Sequence, residues 1–313
     1  MNALAGPGPG RAGLAMAAVR SDRLTVVRYD VFTDRAYAGN PLAVAIEPPA
    51  LSDAQMQRIA AELNLSETVF LTDLGGGAWR ARIFTPATEL PFAGHPTIGA
   101  ALALQDADLL RDGRVTLHEG IGPVEVSLAD GLATLTTPGR PEPVDTADPA
   151  DVVAAVGLGL ADLHPELGPR GWSAGVPYTM VGLRDVGALE RAELDTAAWR
   201  HGVGCSDAPD LYLLAPVDGV RGERWRARMF GPVIGVAEDP ATGSAAAAAC
   251  GYLAGVAGER RLDEGWTIEQ GVEMGRPSEM RVQAVRNGNE LVAVRVGGRA
   301  VRVGSGELLL PEP

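Results

Sequence analysis

Between residues 89 and 99 the chain reads Glu89-Leu90-Pro91-Phe92-Ala93-Gly94-His95-Pro96-Thr97-Ile98-Gly99, in which polar residues and a glycine lead into an uncharged run. The same order recurs much later, in Glu238-Asp239-Pro240-Ala241-Thr242-Gly243-Ser244-Ala245. We interpret the repeated plan as two related halves of the molecule, whose polar groups meet at one site.

Both stretches open into almost wholly apolar runs, at residues 96–104 and 245–254. A helix that lacks a polar face has to be covered on every side, and each run is too short to span a membrane. We therefore predict two central helices, each wrapped by β-strands. Pro96 suits the first position of its helix, where a missing N–H is not needed.

The starts of these helices predict a binding site for a carboxylate. A helix start leaves backbone N–H groups free and carries about half a positive charge, which favours an oxyanion. The N–H groups would come from Gly94, Gly243 and Ser244, and glycine lets a ligand approach the backbone closely. Ordinary caps on two well-packed core helices would explain each stretch taken alone. The nearby polar side chains, His95 and Asp239 among them, favour a site.

Length and charge set the broad class. A chain of 313 residues suits two domains, and 46% apolar residues is typical of a globular protein. With 40 acidic and 27 basic residues, the net charge of −13 should repel phosphate backbones. We expect neither a nucleic-acid partner nor insertion into a membrane.

The sequence contains no lysine, so every basic residue is arginine. Without a lysine amine the chain cannot anchor pyridoxal phosphate as a Schiff base, run a lysine-imine aldol reaction or provide a Walker-type phosphate lysine. Three large classes of enzyme are thereby excluded, and we expect no cofactor.

The two cysteines, Cys205 and Cys250, fit neither a metal quartet nor a disulfide framework. The four histidines are scattered without metal-binding spacing. We therefore predict no metal site and a reducing, cytoplasmic setting.

Composition divides the chain into segments. Residues 1–21 are rich in Gly, Ala and Pro and predict a disordered leader, with Met16 as an alternative start. A strand pattern begins at Arg23, and Ser52 with Gln55 forms a capping box before a helix. The proline-rich residues 138–143 predict a linker. The resulting domains are 22–139, joined by a C-terminal strand at 300–313, and 140–299.

These residues resemble the phenazine-biosynthesis PhzF-like proteins, which share the diaminopimelate epimerase fold. The resemblance covers nearly the whole chain from about Arg23. It rests on six ordered matches: Gly39-Asn40-Pro41 with Ala43-Val44, Asn64-Leu65-Ser66-Glu67-Thr68-Val69-Phe70, Arg82-Ile83-Phe84-Thr85-Pro86, Phe92-Ala93-Gly94-His95-Pro96-Thr97, Glu238-Asp239-Pro240-Ala241-Thr242-Gly243-Ser244, and Gln270-Gly271 with Gly275-Arg276-Pro277-Ser278.

The resemblance implies an α+β fold of two similar domains, each a β-sheet barrel wrapped around a central apolar helix, with the active site between them. It implies a cofactor-independent isomerase of a small carboxylated substrate such as trans-2,3-dihydro-3-hydroxyanthranilate, and often a homodimer. The family's catalytic glutamate matches Glu67. His95 and Asp239 match its other polar site residues and would hold the substrate's hydroxyl and amino groups.

Glu67 suits this chemistry because one carboxylate can remove a proton from one carbon and return it to another. Its pKa would have to be raised by partial burial, since a solvated glutamate is a poor proton donor at neutral pH. The alternative for Glu67 is a solvent-facing strand residue. For His95 and Asp239, the alternative is local capping of helix N–H groups.

Other functions fit these residues less well. Ser244 lacks the GxSxG frame of a hydrolase nucleophile. Related racemases carry a cysteine at each helix start, where this chain has His95 and Ser244, so a two-thiol epimerase is not expected. The residues from Trp172 to Val181 depart from the phenazine enzyme, and Tyr178 there is more simply a packing residue than a pocket residue. A member of this fold that binds a metabolite or a protein without turnover remains the alternative function.

Overall fold

The computed structural model describes residues 22–110, 112–137, 139–220, 222–233, 235–257 and 265–312. The predicted leader, residues 1–21, lies outside the described residues. Within them, no helix has the length and apolar character needed to cross a membrane.

The first half of the chain places a long apolar helix after five strands. Its elements are β1 (Arg23–Val31), β2 (Asn40–Ile46), α1 (Asp53–Leu63), β3 (Glu67–Gly75), β4 (Ala78–Phe84), β5 (Glu89–Leu90), α2 (Gly94–Asp106), β6 (Arg114–Glu119), β7 (Gly122–Ala129) and β8 (Leu132–Thr136).

The second half follows the same order. Its elements are β9 (Glu142–Val144), α3 (Pro149–Ala155), β10 (Arg170–Ser173), β11 (Pro177–Gly182), α4 (Val186–Arg191), α5 (Thr196–His201), β12 (Asp210–Pro216), β13 (Arg224–Gly231), β14 (Val236–Asp239), α6 (Gly243–Ala257), β15 (Gly265–Gln270), β16 (Ser278–Asn287), β17 (Glu290–Gly298) and β18 (Ala300–Leu309).

Strand pairing repeats between the halves. In the first half β2 is parallel to β3, β4 is parallel to β6, and the pairs β3–β4, β6–β7 and β7–β8 are antiparallel. In the second half β11 is parallel to β12, β13 is parallel to β15, and β12–β13, β15–β16 and β16–β17 are antiparallel. The short strands β5 and β14 pair with β4 and β13 just before α2 and α6.

Three further pairings close the sheet. Antiparallel pairing of β8 with β17 joins the two halves, and β18 returns to β1 with Leu309 opposite Arg23. β9 pairs with β10, so the predicted linker already contributes a strand at Glu142. A proline-rich segment can do this because edge strands tolerate proline.

The two apolar runs form buried helices, as predicted. In α2, every residue from Gly94 to Leu104 is buried, and in α6 the side chains of residues 245–250 are fully covered. Helix α2 packs on β1, β2, β3, β7 and β8, and α6 packs on β10, β11, β16 and β17. This enclosure explains why α6 has no charged residue and α2 has none before its last residue, Asp106.

The predicted capping box on α1 is confirmed. The Gln55 N–H donates to Ser52 Oγ, and the Gln55 side chain accepts from the Ser52 N–H; the helix ends at Asn64 in a left-handed conformation. The prediction that Pro96 is the first residue of its helix was wrong, because α2 begins at Gly94. Pro96 is therefore its third residue, where the missing N–H still has no partner within the helix.

Candidate active site

The starts of the two buried helices meet. A Cβ atom built on Gly94 would lie 3.4 Å from the Cα of Gly243 and 3.5 Å from the backbone nitrogen of Ser244. A side chain at Gly94 would occupy the space between the two helix starts. The three residues predicted to provide N–H groups are thus brought together although they come from opposite halves.

Glu67 and His95 also meet, at the edge of this contact. Glu67 is the first residue of β3, His95 is the second of α2, and Glu67 Oε2 lies 3.1 Å from His95 Nε2. Their side chains are only 15% and 7% exposed. The two groups are not aligned for a hydrogen bond, so neither of these atoms has a hydrogen-bond partner among the described residues.

Burial moves the pKa values of both groups in opposite directions. It raises the pKa of Glu67 to about 8, with a smaller contribution from the negative charge of Asp239. It lowers the pKa of His95 to about 3. Desolvation disfavours whichever form is charged, which explains both directions. At neutral pH the imidazole is uncharged and Glu67 is mostly protonated, so their contact is not an ion pair.

Asp239, the last residue of β14, lies in a hydrogen-bond network that leaves its carboxylate room to accept further bonds. Its Oδ1 accepts from Asn40 Nδ2 at 3.0 Å, and its Oδ2 accepts from Thr242 Oγ1 at 2.5 Å. Gln270 Nε2 donates to the Asp239 backbone carbonyl at 2.7 Å and to Thr242 Oγ1 at 3.0 Å. Burial raises the pKa of Asp239 to about 6, and the bonds from Thr242 and Asn40 limit the rise.

Tyr178 contacts the start of α6 directly. Its hydroxyl lies 2.8 Å from Ser244 Oγ, while its ring is buried in the core. The expectation that Tyr178 mainly packs is therefore incomplete, since the ring packs and the hydroxyl pairs with a candidate site residue. Asp210, at the start of β12, has a pKa raised to about 6 by burial and accepts from the Val233 N–H at 3.3 Å.

Two arginines hold the surrounding segments in place. Arg228 donates two hydrogen bonds, of 2.8 and 2.9 Å, to the carboxylate of Glu238, the residue before Asp239. Arg276 bridges the two halves, because it donates to Asp30 Oδ1 at 2.7 Å and to the Gly39 carbonyl at 2.8 Å. Paired guanidinium bonds of this kind fix both distance and direction.

Some residues that contact the site were not assigned a role from the sequence, although their positions lie in matched segments. Asn40, Thr242, Gln270 and Arg276 all lie within the six matched segments, so their positions were marked although their contacts were not. Asp210 lies in none of those segments, and no sequence pattern indicated a role for it.

Neither cysteine lies at a helix start. Cys250 is buried inside α6, where desolvation raises the pKa of its thiol, and Cys205 is exposed on a short turn at Val203–Cys205. This placement does not suit a two-thiol epimerase. In the part of the chain that the structure describes, no group of three His, Cys, Asp or Glu side chains could hold a metal ion.

A separate cavity of about 280 Å³ is lined by Phe32, Arg224, Arg281 and Arg299, among others. It contains none of Glu67, His95 and Asp239. We place the candidate site on the buried, titratable groups instead, because carboxyls with strongly shifted pKa values are what proton transfer requires.

This fold is that of the PhzF proteins. The solved structure of a PhzF-family phenazine biosynthesis protein from Bacillus anthracis superposes with a TM-score of 0.84 and covers 92% of this chain and 99% of its own, at 23% identity. The family model described as phenazine biosynthesis-like protein matches residues 29–306. The chain belongs to this family.

Several curated relatives of this chain are named as isomerases. One, an uncharacterised isomerase of Mesorhizobium japonicum, is 41% identical over 90% of this chain and 97% of its own length. The trans-2,3-dihydro-3-hydroxyanthranilate isomerase of Pseudomonas aeruginosa is 38% identical over 90% of this chain and 98% of its own. The chain is an isomerase of the PhzF-like family.

Proposed function

We propose that this isomerase moves a proton within a small carboxylated metabolite without a cofactor, and that Glu67 carries the proton. The observation that supports this most is the buried Glu67 Oε2, 3.1 Å from His95 Nε2, where desolvation raises the pKa of Glu67 to about 8. A group that must act first as a base and then as an acid works best with a pKa near the working pH. The relative from Pseudomonas aeruginosa makes trans-2,3-dihydro-3-hydroxyanthranilate the first candidate substrate.

The proposed reaction conserves protons. The ionised Glu67 carboxylate takes a proton from one carbon of the substrate, and the electron pair left behind moves through the adjacent double bond. The resulting carboxylic acid returns the proton to the carbon at the other end. With a pKa of about 8, roughly a tenth of Glu67 is ionised at pH 7 and ready for the first step.

The remaining site residues would bind the substrate. The N–H groups of Gly94, Gly243 and Ser244 would receive its carboxylate, supported by two helix dipoles that meet there. A neutral His95 can donate or accept a hydrogen bond without competing as a cation. Asp239 would hold the hydroxyl or amino group while its own bonds to Asn40 and Thr242 keep it in place.

We also propose two similar domains, 22–139 with the strand at 300–313 and 140–299, each a barrel around its apolar helix. The repeated strand pairing and the return of β18 to β1 support this division. A homodimer in a cytoplasmic setting completes the proposal. Light scattering of the purified protein would test the dimer.

Proton NMR of trans-2,3-dihydro-3-hydroxyanthranilate tests the function. The wild type and Glu62→Gln, which loses an exposed carboxyl on α1, should both convert the substrate. Glu67→Gln should not. Failure of the wild type would remove this substrate from the proposal, and the residues from Trp172 to Val181 would then guide a search for another. Turnover by Glu67→Gln would show that Glu67 is not the proton carrier.

A further inference from the structure

A second buried carboxyl lies beside the first turn of α2. Glu119 ends β6, is 8% exposed, and its Oε1 lies 2.7 Å from the Thr97 hydroxyl oxygen. Thr97 is two residues after His95. The chain after Glu119 is held to the segment before α2, because the Ile121 N–H donates to the Pro91 carbonyl at 3.0 Å.

The contacts of the Thr97 hydroxyl indicate whether Glu119 is protonated. The Thr97 hydroxyl oxygen also lies 2.7 Å from the Ala93 carbonyl oxygen. A carbonyl has no proton to give and a hydroxyl has one. If Glu119 were ionised, one of these two short contacts would join two oxygens without a proton between them. Both contacts are hydrogen bonds only if Glu119 is protonated and donates to Thr97, which then donates to Ala93.

The surroundings of Glu119 favour the same form. Its other oxygen, Oε2, is buried and has no hydrogen-bond partner among the described residues, so a negative charge there would be poorly solvated. Desolvation raises the pKa of Glu119 to about 8, and only the bond with Thr97 opposes it.

No neighbouring charge contributes to that pKa. Glu119 adjoins β7, the segment around Pro91 and the first turn of α2, and β6 itself pairs with β4. The titratable and charged groups on these elements are Arg80, Arg82, Glu89, His95, Asp106 and Glu125. On β6 itself the corresponding groups are Arg114 and His118.

We propose that Glu119 is a positioning residue, which in its neutral form ties the first turn of α2 to the end of β6 and so holds His95 against Glu67. The side chain of the N-terminal capping residue, Ala93, makes no cap bond, so the Thr97 hydroxyl supplies a side-chain tie to this turn. Loss of the Glu119 proton at alkaline pH turns the Thr97 hydroxyl toward the carboxylate, so the bond from Thr97 to the Ala93 carbonyl is lost and the turn loosens. The kinetic part of this inference rests on the proposed function.

Glu119→Gln tests whether the ionisable proton of Glu119 matters, because glutamine also donates hydrogen bonds. The amide keeps an N–H donor toward Thr97 and cannot ionise. At pH 7 its kcat should stay within about threefold of the wild type. By pH 9 about nine-tenths of the wild-type Glu119 is ionised, so Glu119→Gln should be up to about tenfold more active there than the wild type.

Two further variants complete the series. Thr97→Val removes the bond at every pH and should lower kcat at pH 7 without restoring activity at pH 9. Glu125→Gln, an exposed carboxyl on the adjacent β7, is the matched control and should keep the wild-type profile. A ratio of Glu119→Gln kcat to wild-type kcat that is the same at pH 9 as at pH 7 would overturn the inference.

A titration that needs no turnover tests the protonation directly. Carbon-13 NMR of glutamate-labelled protein should contain a carboxyl signal that titrates near pH 8 and is absent from Glu119→Gln. If that signal is found but no variant isomerises the substrate, the proposed function fails while the protonation stands. If the Glu119 signal titrates at ordinary acidic pH, the inference is wrong whatever the activity.

Discussion

The starts of α2 and α6 are built on one plan and differ in how their polar groups are satisfied. Beside α2, Glu67 Oε2 and His95 Nε2 are buried without hydrogen-bond partners among the described residues. Beside α6, both carboxyl oxygens of Asp239 accept hydrogen bonds, and Ser244 pairs with Tyr178. The polar groups beside α2 are therefore buried without compensating hydrogen bonds, whereas hydrogen bonds fix the orientation of those beside α6.

This difference suggests different roles for the starts of α2 and α6 in the proposed reaction. A carboxyl without partners can change its protonation state without breaking a network, and its shifted pKa reflects the cost of its charge. A carboxylate held by two donors keeps its position as a substrate binds. We therefore expect proton transfer on the α2 side and substrate orientation on the α6 side.

Glu67→Gln should have the largest effect on activity. General acid–base groups contribute about 10²–10⁴-fold, so we expect kcat to fall by roughly 10³-fold. Affinity for the substrate should change by less than about threefold, because the amide keeps the shape of the carboxyl. Steady-state kinetics and calorimetry on the same preparation measure both. An equal loss of kcat and affinity would mean that Glu67 binds the substrate and does not carry its proton.

Asp239→Asn should have the next largest effect, mainly on binding. If the new NH₂ group faces Asn40, it meets another donor, and if it faces Thr242, the Thr242 hydroxyl can no longer donate to residue 239. We expect a loss of about 1–3 kcal/mol in the free energy of unfolding and of roughly 10- to 100-fold in kcat/KM, chiefly through KM. Asp210→Asn is the control, since Asp210 is also buried but accepts from the Val233 N–H, and its kcat/KM should stay within a few-fold. Equal losses of kcat/KM in the two variants would contradict a special role for Asp239.

The pH dependence of stability should distinguish the two sides as well. Because folding raises the pKa of Glu67 from an ordinary value of 4.5 to about 8, the folded state binds more protons between these pH values. Stability is therefore unaffected below pH 4.5 and falls as pH rises toward 8, by about 1.4 kcal/mol per pH unit for this group.

Glu67→Gln removes that cost. Its free energy of unfolding should exceed that of the wild type increasingly from pH 5 to pH 8, with little difference at pH 4. Urea unfolding at several pH values measures this. The Glu62→Gln control should follow the wild type, and a constant gap between Glu67→Gln and the wild type would mean that the Glu67 pKa is not raised.

Tyr178→Phe should have the smallest effect. It removes one hydroxyl from the contact with Ser244 while the ring still fills the core. We expect a loss of about 1 kcal/mol in stability and a rise of a few-fold in KM. Tyr29→Phe is the control. It removes a hydroxyl that donates to Asp106, away from the candidate site, so stability should fall similarly but KM should not change. A kcat loss as large as that of Glu67→Gln would place Tyr178 in the chemistry.

The sequence predicted the parts of this arrangement that depend on local pattern. The buried helices follow from two runs without charge, and the capping box of α1 from Ser52 and Gln55. The meeting of Gly94 with Gly243 was expected from the repeated plan alone. By contrast, the bond between Asn40 and Asp239 joins residues 199 positions apart, and nothing in either local pattern indicates it.

Other features were missed for physical reasons of the same kind. The helices α4 and α5 are six residues each, too short for a helical period to stand out. Whether Glu119 is buried depends on how β6 ends against Pro91, a contact between distant segments. Contacts between distant segments decide whether a residue at the end of a strand is buried, and periodicity along one strand does not show them.

In the proposed reaction Glu67 carries the proton while Asp239 only orients the substrate. Exchange of substrate carbon-bound hydrogen with D₂O, followed by NMR at saturating trans-2,3-dihydro-3-hydroxyanthranilate, tests this division of roles. We expect Glu67→Gln to abolish both exchange and isomerisation, whereas Asp239→Asn should keep both within about tenfold of the wild type once the substrate saturates the site. Exchange that persists in Glu67→Gln and disappears in Asp239→Asn would contradict it.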